Sequence, residues 1–286
     1  MTSTTAPTAP VGPTAVATPR RAERAGARFP AAALGTARRT ILQFARTPQM
    51  IIMATVQGAA VLFLFRYIFG GAIDTVGGVD YVDFLVPGYL ATTFLWNGMS
   101  GTAGVAEDAA SGVYDRLRSL PVPRAAVMVG RSLGDMALTS WGLLATTLLG
   151  FAVGFRAHGS GGEVALAFAL MLVAGYALTW VFISLGLVAG NAQAAQGMSF
   201  MVVLPLTFMS SAYVPVDSLP GWMQPIADHQ PVTPLVNAVR SLMLGGTDAA
   251  GVGHGTAYWV GLSLAWSAAI LVVFGSLAVA RFARRR

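Results

Sequence analysis

The chain has 286 residues, 55% of them hydrophobic and only 10% charged, with a formal net charge of +6 and a mean hydropathy of +0.64. A soluble domain carries roughly 25% charged residues, so the composition excludes a soluble fold and indicates a membrane protein. There is no cysteine, hence no disulfide framework, thiolate metal site or cysteine nucleophile, and every basic residue is arginine.

Residues 1–30 are rich in Thr, Ala and Pro and then in Arg, with nothing to build a core, and predict a disordered cytosolic arm. No apolar stretch follows those charges closely enough to make a secretory signal. Residues 31–48, AAALGTARRTILQFARTP, set Leu34, Ile41, Leu42 and Phe44 beside Arg38, Arg39 and Arg46. Two readings fit: an amphipathic helix lying on the inner membrane face, or a helix that simply precedes the first span.

Crossing the hydrocarbon takes around 20 apolar residues. Six segments qualify, at about 50–69, 84–106, 132–155, 164–189, 197–216 and 256–280. They make residues 49–281 one transmembrane domain and leave 282–286 as a basic cytosolic tail. From Val164 to Val216 there is no acidic or basic residue, so GNAQAAQG (190–197) is read as a tight hairpin between spans four and five. Of the 18 arginines, seven precede the first span, four lie within 107–131 and four close the chain, all on one side of a six-span plan. The opposite loops hold Asp74, Asp80, Asp83, Glu163, Asp217, Asp228 and Asp248 with only Arg156 and Arg240. The positive-inside rule then puts both termini in the cytosol. Arginines placed beside apolar runs in this way mark topology, not nucleic-acid binding.

Two ionisable residues approach the spans. Asp135 falls in the first turn of span three, four residues after Arg131, where the helix dipole favours an anion. Arg66 is placed to snorkel to the outer surface or to pair with Asp74 or Asp83. A proton-driven carrier usually keeps a carboxylate or histidine within its spans, and none falls near the midplane. Gly98, Gly101 and Gly104, Gly150 and Gly154, and Gly186 and Gly190 have the spacing of close helix contacts. His158, His229 and His254 are scattered over outer loops as ordinary polar residues. No hydrolase or zinc-protease motif occurs. A phosphate-cradling loop needs a lysine, so this chain alone does not hydrolyse ATP.

The outer segment between spans five and six places Leu219, Trp222, Met223, Ile226 and Ala227, then Val236, Val239, Leu242 and Met243, at helical spacing. Pro220 and Pro234 stand where helices could start, behind Ser218 and Thr233 as caps. Two short amphipathic helices, re-entrant or interfacial, are expected, with a loose amphipathic lid as the other reading.

The cytosolic stretch from Glu107 to Met136 is the most charged part of the chain between the arm and the tail. Glu107 and Asp108 end span two, Gly112 permits a turn, and VYDRLRSL (113–120) predicts a short helix. Val113, Leu117 and Leu120 make its apolar stripe beside Asp115, Arg116 and Arg118; Pro121 and Pro123 stop it, and Arg124 leads into span three. Such a helix suits docking into a groove on a cytosolic partner, while an ordinary positive-inside loop would need only the arginines.

Glu107, Gly112, Asp115-Arg116-Leu117 and SLPVPRAAVMVGR (119–131) resemble the signature of ABC-2-type transporter permeases: an acidic residue, a glycine, a charged short helix, then a Pro–hydrophobic–x–Arg step into the next span. GVYDRLRSLPVPR (112–124) and VPVDSLPGWMQPIADHQPVTPLVNAVRSLMLGG (214–246) resemble the daunorubicin/doxorubicin-resistance-type branch, and the likeness covers roughly residues 35–286. It implies an all-α membrane protein of six transmembrane helices with a cytosolic coupling helix. It further implies a bacterial plasma-membrane permease that dimerises and binds two copies of a separate ATPase. ATP and Mg would sit on that partner, with no cofactor on this chain. The coupling interface would use Glu107, Asp108, Gly112, Tyr114, Asp115, Arg116, Arg118, Pro121 and Arg124. The outer gate helices would carry Leu219, Trp222, Met223, Ile226 and Leu242. The cargo implied is a hydrophobic or amphipathic drug, antibiotic or lipid. The alternatives are export of envelope polysaccharide or lipid precursors, a self-sufficient carrier, or an intramembrane enzyme. Phe94 and Trp96 stand as candidates for substrate contact against lipid-facing or packing roles.

Overall fold

The computed structural model describes residues 28–69, 75–76, 79–119, 121–247 and 252–284. Of the disordered arm expected over 1–30, residues 1–27 lie outside the described residues, as do the last two arginines, Asp74, Asp248 and Leu120, whereas Phe29 and Pro30 already belong to the first helix. Within them the fold is helical, apart from a two-residue antiparallel pairing of β1 (Thr75–Val76) with β2 (Val79–Asp80).

Helix α1 (Phe29–Ala45) opens with Pro30 in its first turn, where the fixed φ of proline suits a helix start. Its small face, Ala33, Ala37 and Thr40, is buried against α5 (Arg124–Ala152). Glycines make that approach possible. A Cβ at Gly130 would overlap the Ala33 carbonyl and the Thr36 side chain, and one at Gly134 would overlap Thr40.

Helix α2 (Pro48–Phe63) runs on into a π-helical turn, Leu64–Phe69. Helix α3 (Tyr81–Ala110) is the centre of the bundle, packed against α5, α6 (Gly161–Val188), α7 (Ala192–Phe208) and α9 (Val232–Leu244). Gly98 faces the Phe182 ring and Gly186 faces the α3 backbone at Thr102, so α3 and α6 approach at both points. Gly150 meets Val86, whereas Gly154 and Gly190 face open space. Helix α4 (Val113–Ser119), a 3-10 turn (Val216–Ser218), α8 (Gln224–His229) and α10 (Thr256–Arg284) complete the chain.

Three segments among the described residues are long and apolar enough to cross a membrane: Ile51–Ile68, Gly161–Val188 and Thr256–Ala283. Helices α3 and α5, with 30 and 29 residues, also exceed the roughly 20 residues that a bilayer requires.

Several expected boundaries differ. Helix α5 begins at Arg124, eight residues before the expected span, directly after Pro123. The break between α6 and α7 falls at 189–191, and most of GNAQAAQG is already helical because the Asn191 side chain accepts from the Ala194 N–H and caps α7. Helix α7 stops at Phe208 instead of reaching 216. Beyond it the Ser210 hydroxyl donates to the Thr207 carbonyl and accepts from the Ala212 N–H, local bonds that compete with helix continuation. Helix α6 starts on a capping box between Ser160 and Glu163.

The outer helices do not start at Pro220 and Pro234, and neither Ser218 nor Thr233 caps them. Helix α9 is also buried along its whole length instead of amphipathic. Its Asn237, Arg240 and Ser241 find internal partners, which lets that side of the helix do without water. Arg66 lies 5.8 Å from the Tyr67 ring; Asp83 is contacted instead by the Arg156 N–H at 3.3 Å and by His158 at 4.0 Å.

Candidate coupling site and outer cavity

The short helix α4 is fixed at one turn and one ring. Gly112 has φ +71°, a left-handed conformation that glycine adopts without strain. It lets the chain reverse between α3 and α4. The Tyr114 side chain is buried and meets the Phe282 ring of α10 edge to face, with centroids 5.4 Å apart. Val127 and Met128 of α5, Ile183 and Leu187 of α6 and Ala278 of α10 build the same apolar cluster, and Leu117 packs on it. Burial pushes the Tyr114 phenol above its ordinary range, so it stays neutral. Arg124 donates from Nη1 to the Ala283 carbonyl at 2.9 Å, a second tie to α10.

The predicted interface residues divide into two sets. Glu107, Asp115, Arg116, Pro121 and Arg124 are exposed around α4, and Gly112 is half-buried. The Arg118 side chain lies outside the described residues. Tyr114 and Asp108 point inward, so their direct contact is with this chain.

Asp108 belongs to a line of four charges. Arg39 of α1 donates to Asp108 at 2.8 Å, Arg131 of α5 donates to it at 2.7 Å, and Arg131 holds both oxygens of Asp135 at 3.0 and 2.9 Å. Arg131 also donates to the Gly101 carbonyl of α3 at 3.3 Å. Two cations and two anions sum to zero, which is how the buried members, Asp108, Arg131 and Asp135, keep their charges away from water. The network ties α1, α3 and α5 together beside the root of α4. The Arg131–Asp135 half was readable from its i, i+4 spacing. Nothing local announced that Arg39 and Asp108, 69 residues apart, would meet.

At the other end a cavity of about 1110 Å³ opens between α9, α10 and the segment after α7. Its wall combines Asp217, Asp228, His229 and His254 with Tyr258, Trp259 and Trp266. Arg240 and Asn237, buried on α9, also border it. Arg240 donates to the Phe84, Ser211 and Ala212 carbonyls at 3.1, 2.8 and 3.3 Å and lies 3.6 Å over the Phe84 ring. Asn237 accepts from the Ser211 hydroxyl at 2.7 Å. Sequence reading had placed Arg240 in an outer loop.

The predicted gate residues are not brought together. Trp222 and Ile226 are exposed, Leu219 and Met223 half-buried, and Leu242 is enclosed in the core. Phe94 is packed in the core against Gly175, and Trp96 lies edge-on to Phe200 at 6.5 Å.

Long apolar helices around a packed centre, with the few buried charges held by partners within the bundle, define an α-helical membrane protein. Residues 34–244 match the ABC-2 type transporter family, and the chain belongs to that family as a permease of drug-resistance exporter type. It is 34% identical over 241 residues to the daunorubicin resistance ABC transporter permease protein DrrB1 of Streptomyces coeruleorubidus, covering 84% of this chain and 81% of that one. The probable doxorubicin resistance ABC transporter permease protein DrrC of Mycobacterium tuberculosis is 30% identical over 139 residues, 47% of this chain and 49% of the relative. Nodulation protein J of Rhizobium leguminosarum bv. trifolii is 31% identical over 185 residues, 62% and 67% of the two chains.

Proposed function

We propose that this chain is the membrane half of an ATP-driven exporter of the bacterial plasma membrane. It would work as a dimer with two copies of a separate ATPase that carries the ATP and Mg. The observation that carries this reading is α4. Its Tyr114 face is anchored on α5, α6 and α10, while Asp115 and Arg116 are exposed. A partner that closes on ATP would push α4, and α4 would pass the push to α3 and α5. Both termini would be cytosolic, and α2, α3, α5, α6, α7 and α10 would be the six spans. Helices α8 and α9 would form the outer, partly re-entrant element.

The outer cavity suits a hydrophobic or amphipathic cargo. Aromatic walls accept a ring system, and Asp217 and Asp228 offer charge to an amine. Two relatives named for resistance to daunorubicin and doxorubicin fit that class. The charge network does not resemble a proton relay, because its members are paired with one another. The test is drug accumulation in inverted vesicles containing this chain. Accumulation is expected only with a partner ABC ATPase and with ATP. Uptake by the chain alone, driven by a proton gradient, would replace this reading with a self-sufficient carrier.

A further inference from the structure

Helix α1 has a face that neither the coupling site nor the outer cavity uses. Ala33, Ala37 and Thr40 are buried on α5. On the opposite side Gly35, Arg38, Arg39, Leu42, Gln43 and Arg46 border an open hollow of about 570 Å³. Those residues recur every three or four positions, so they form one stripe along the helix. Three guanidinium groups line the hollow, and no carboxylate does. Arg39 gives one end to Asp108 and remains 40% exposed. Among the described residues Arg38 and Arg46 lie within ion-pair distance of no carboxylate. A hollow with that lining is suited to an anion.

The surroundings select which anion. Leu34 and Ile41, seven residues apart on the flank of the stripe, are 63% and 42% exposed. The chain turns at Arg46, and the first membrane-crossing segment begins at Ile51. Arg46 therefore stands within five residues of the hydrocarbon edge, the depth of lipid phosphates. A soluble anion has no use for the apolar flank, whereas a lipid fits both parts of it.

We infer that this hollow binds the phosphate of an anionic phospholipid headgroup in the leaflet that α1 borders. Arg38 and Arg46 hold the phosphate with paired N–H donors, which match its oxygens. Arg39 joins the same headgroup to Asp108, and through Asp108 to Arg131 and Asp135. The lipid would thus stabilise the junction of α1, α3 and α5 from which α4 departs. The assignment to the inner leaflet rests on the exporter reading; the binding itself does not.

The experiment uses the full chain in detergent, titrated with short-chain phosphatidylglycerol, short-chain phosphatidylcholine or inorganic phosphate, with bound lipid read by native mass spectrometry. A basic residue near anionic lipid contributes about five-fold in affinity, so R38Q/R46Q is expected to lose roughly 25-fold for phosphatidylglycerol. R156Q, at the far end of α5, is expected to match the wild-type chain. Because Arg38 and Arg46 are exposed, R38Q/R46Q should keep the wild-type Tm without added lipid, and R38K/R46K should recover part of the binding. Phosphatidylcholine should bind at least ten-fold more weakly, and inorganic phosphate at equal concentration should not displace phosphatidylglycerol. Equal binding of the two lipids, undiminished binding by R38Q/R46Q, or displacement by inorganic phosphate would each overturn the assignment. Neither ATPase nor cargo is present, so failure here leaves the exporter reading standing, and the reverse also holds.

Discussion

Tyr114 of α4 and Phe282 of α10 meet edge to face, centroids 5.4 Å apart and planes at 88°, although 168 residues separate them in the chain. The contact makes the last helix part of the seat on which α4 rests. Tyr114→Ala is expected to loosen that seat, since removing a buried aromatic ring costs about 3–5 kcal/mol in a well-packed core. A lowered Tm in detergent and loss of ATPase co-purification should follow together. The Tyr114 hydroxyl has no protein hydrogen-bond partner among the described residues, so Tyr114→Phe is expected to behave as wild type. Equal damage from both substitutions would show that the ring is not what holds α4.

The exposed charges of α4 separate docking from topology. Orientation counts basic residues and is little affected by acidic ones. Asp115→Arg is therefore expected to insert with normal orientation and still fail to bind the ATPase. Breaking one buried interfacial charge pair costs about 2–5 kcal/mol, and reversal should cost at least as much. Wild-type ATPase binding and export by Asp115→Arg, Arg116→Glu and Arg118→Glu alike would reduce the segment to a plain positive-inside loop.

The four-charge line should behave as one unit. Arg131→Met leaves Asp108 and Asp135 without their shared cation, and stranding a buried charge costs about 3–5 kcal/mol. Arg131→Met with Asp135→Leu removes both members of the pair within α5, while Asp108 keeps Arg39. The double variant is expected to be more stable than Arg131→Met alone in thermal melts. Additive losses would mean that the two side chains act independently.

How much of this could be read in advance depended on the range of the signal. The charged helix after Gly112 was legible, because turn, charges and proline stops all lie within a dozen residues. Helix α9, expected to be amphipathic with Arg240 in an outer loop, is buried throughout, and Arg240 and Asn237 are enclosed with it. They are satisfied by Phe84, Ser211 and Ala212, contributed by α3 and the segment after α7. Tyr114 was likewise recognised by motif alone, and its partner at Phe282 had no local trace. Periodicity reports how a helix faces its neighbours but not which neighbours arrive.

Arg240 itself gives a further measurement. Three carbonyls converge on it, and each left without a donor costs about 1–3 kcal/mol when buried. Arg240→Met is expected to lower the Tm markedly. Arg240→Lys should recover only part, since an ammonium cannot reproduce the planar fork lying over Phe84. Full recovery by lysine would show that charge alone suffices there.

Orientation can be checked without engineering a background, because the chain lacks cysteine. Ser119 and Ser218 are both exposed. Ser119→Cys is expected to react with an impermeant maleimide only after the cells are opened, and Ser218→Cys on intact cells. Reaction of Ser119→Cys on intact cells would invert the topology and end the coupling role.

The glycine-mediated seating of α1 on α5 has a mechanical side. With Ala33, Ala37 and Thr40 pressed onto α5 at Gly130 and Gly134, any rotation of α5 would carry α1 with it. A 17-residue helix is about 25 Å long, so a turn of about 10° sweeps its free end through about 4 Å. That sweep would have to shear the surface of the bilayer. On the exporter reading, the viscosity and lateral pressure of the membrane would thereby become a load on every stroke, and stiffening the lipid should slow the cycle even where every protein contact is intact.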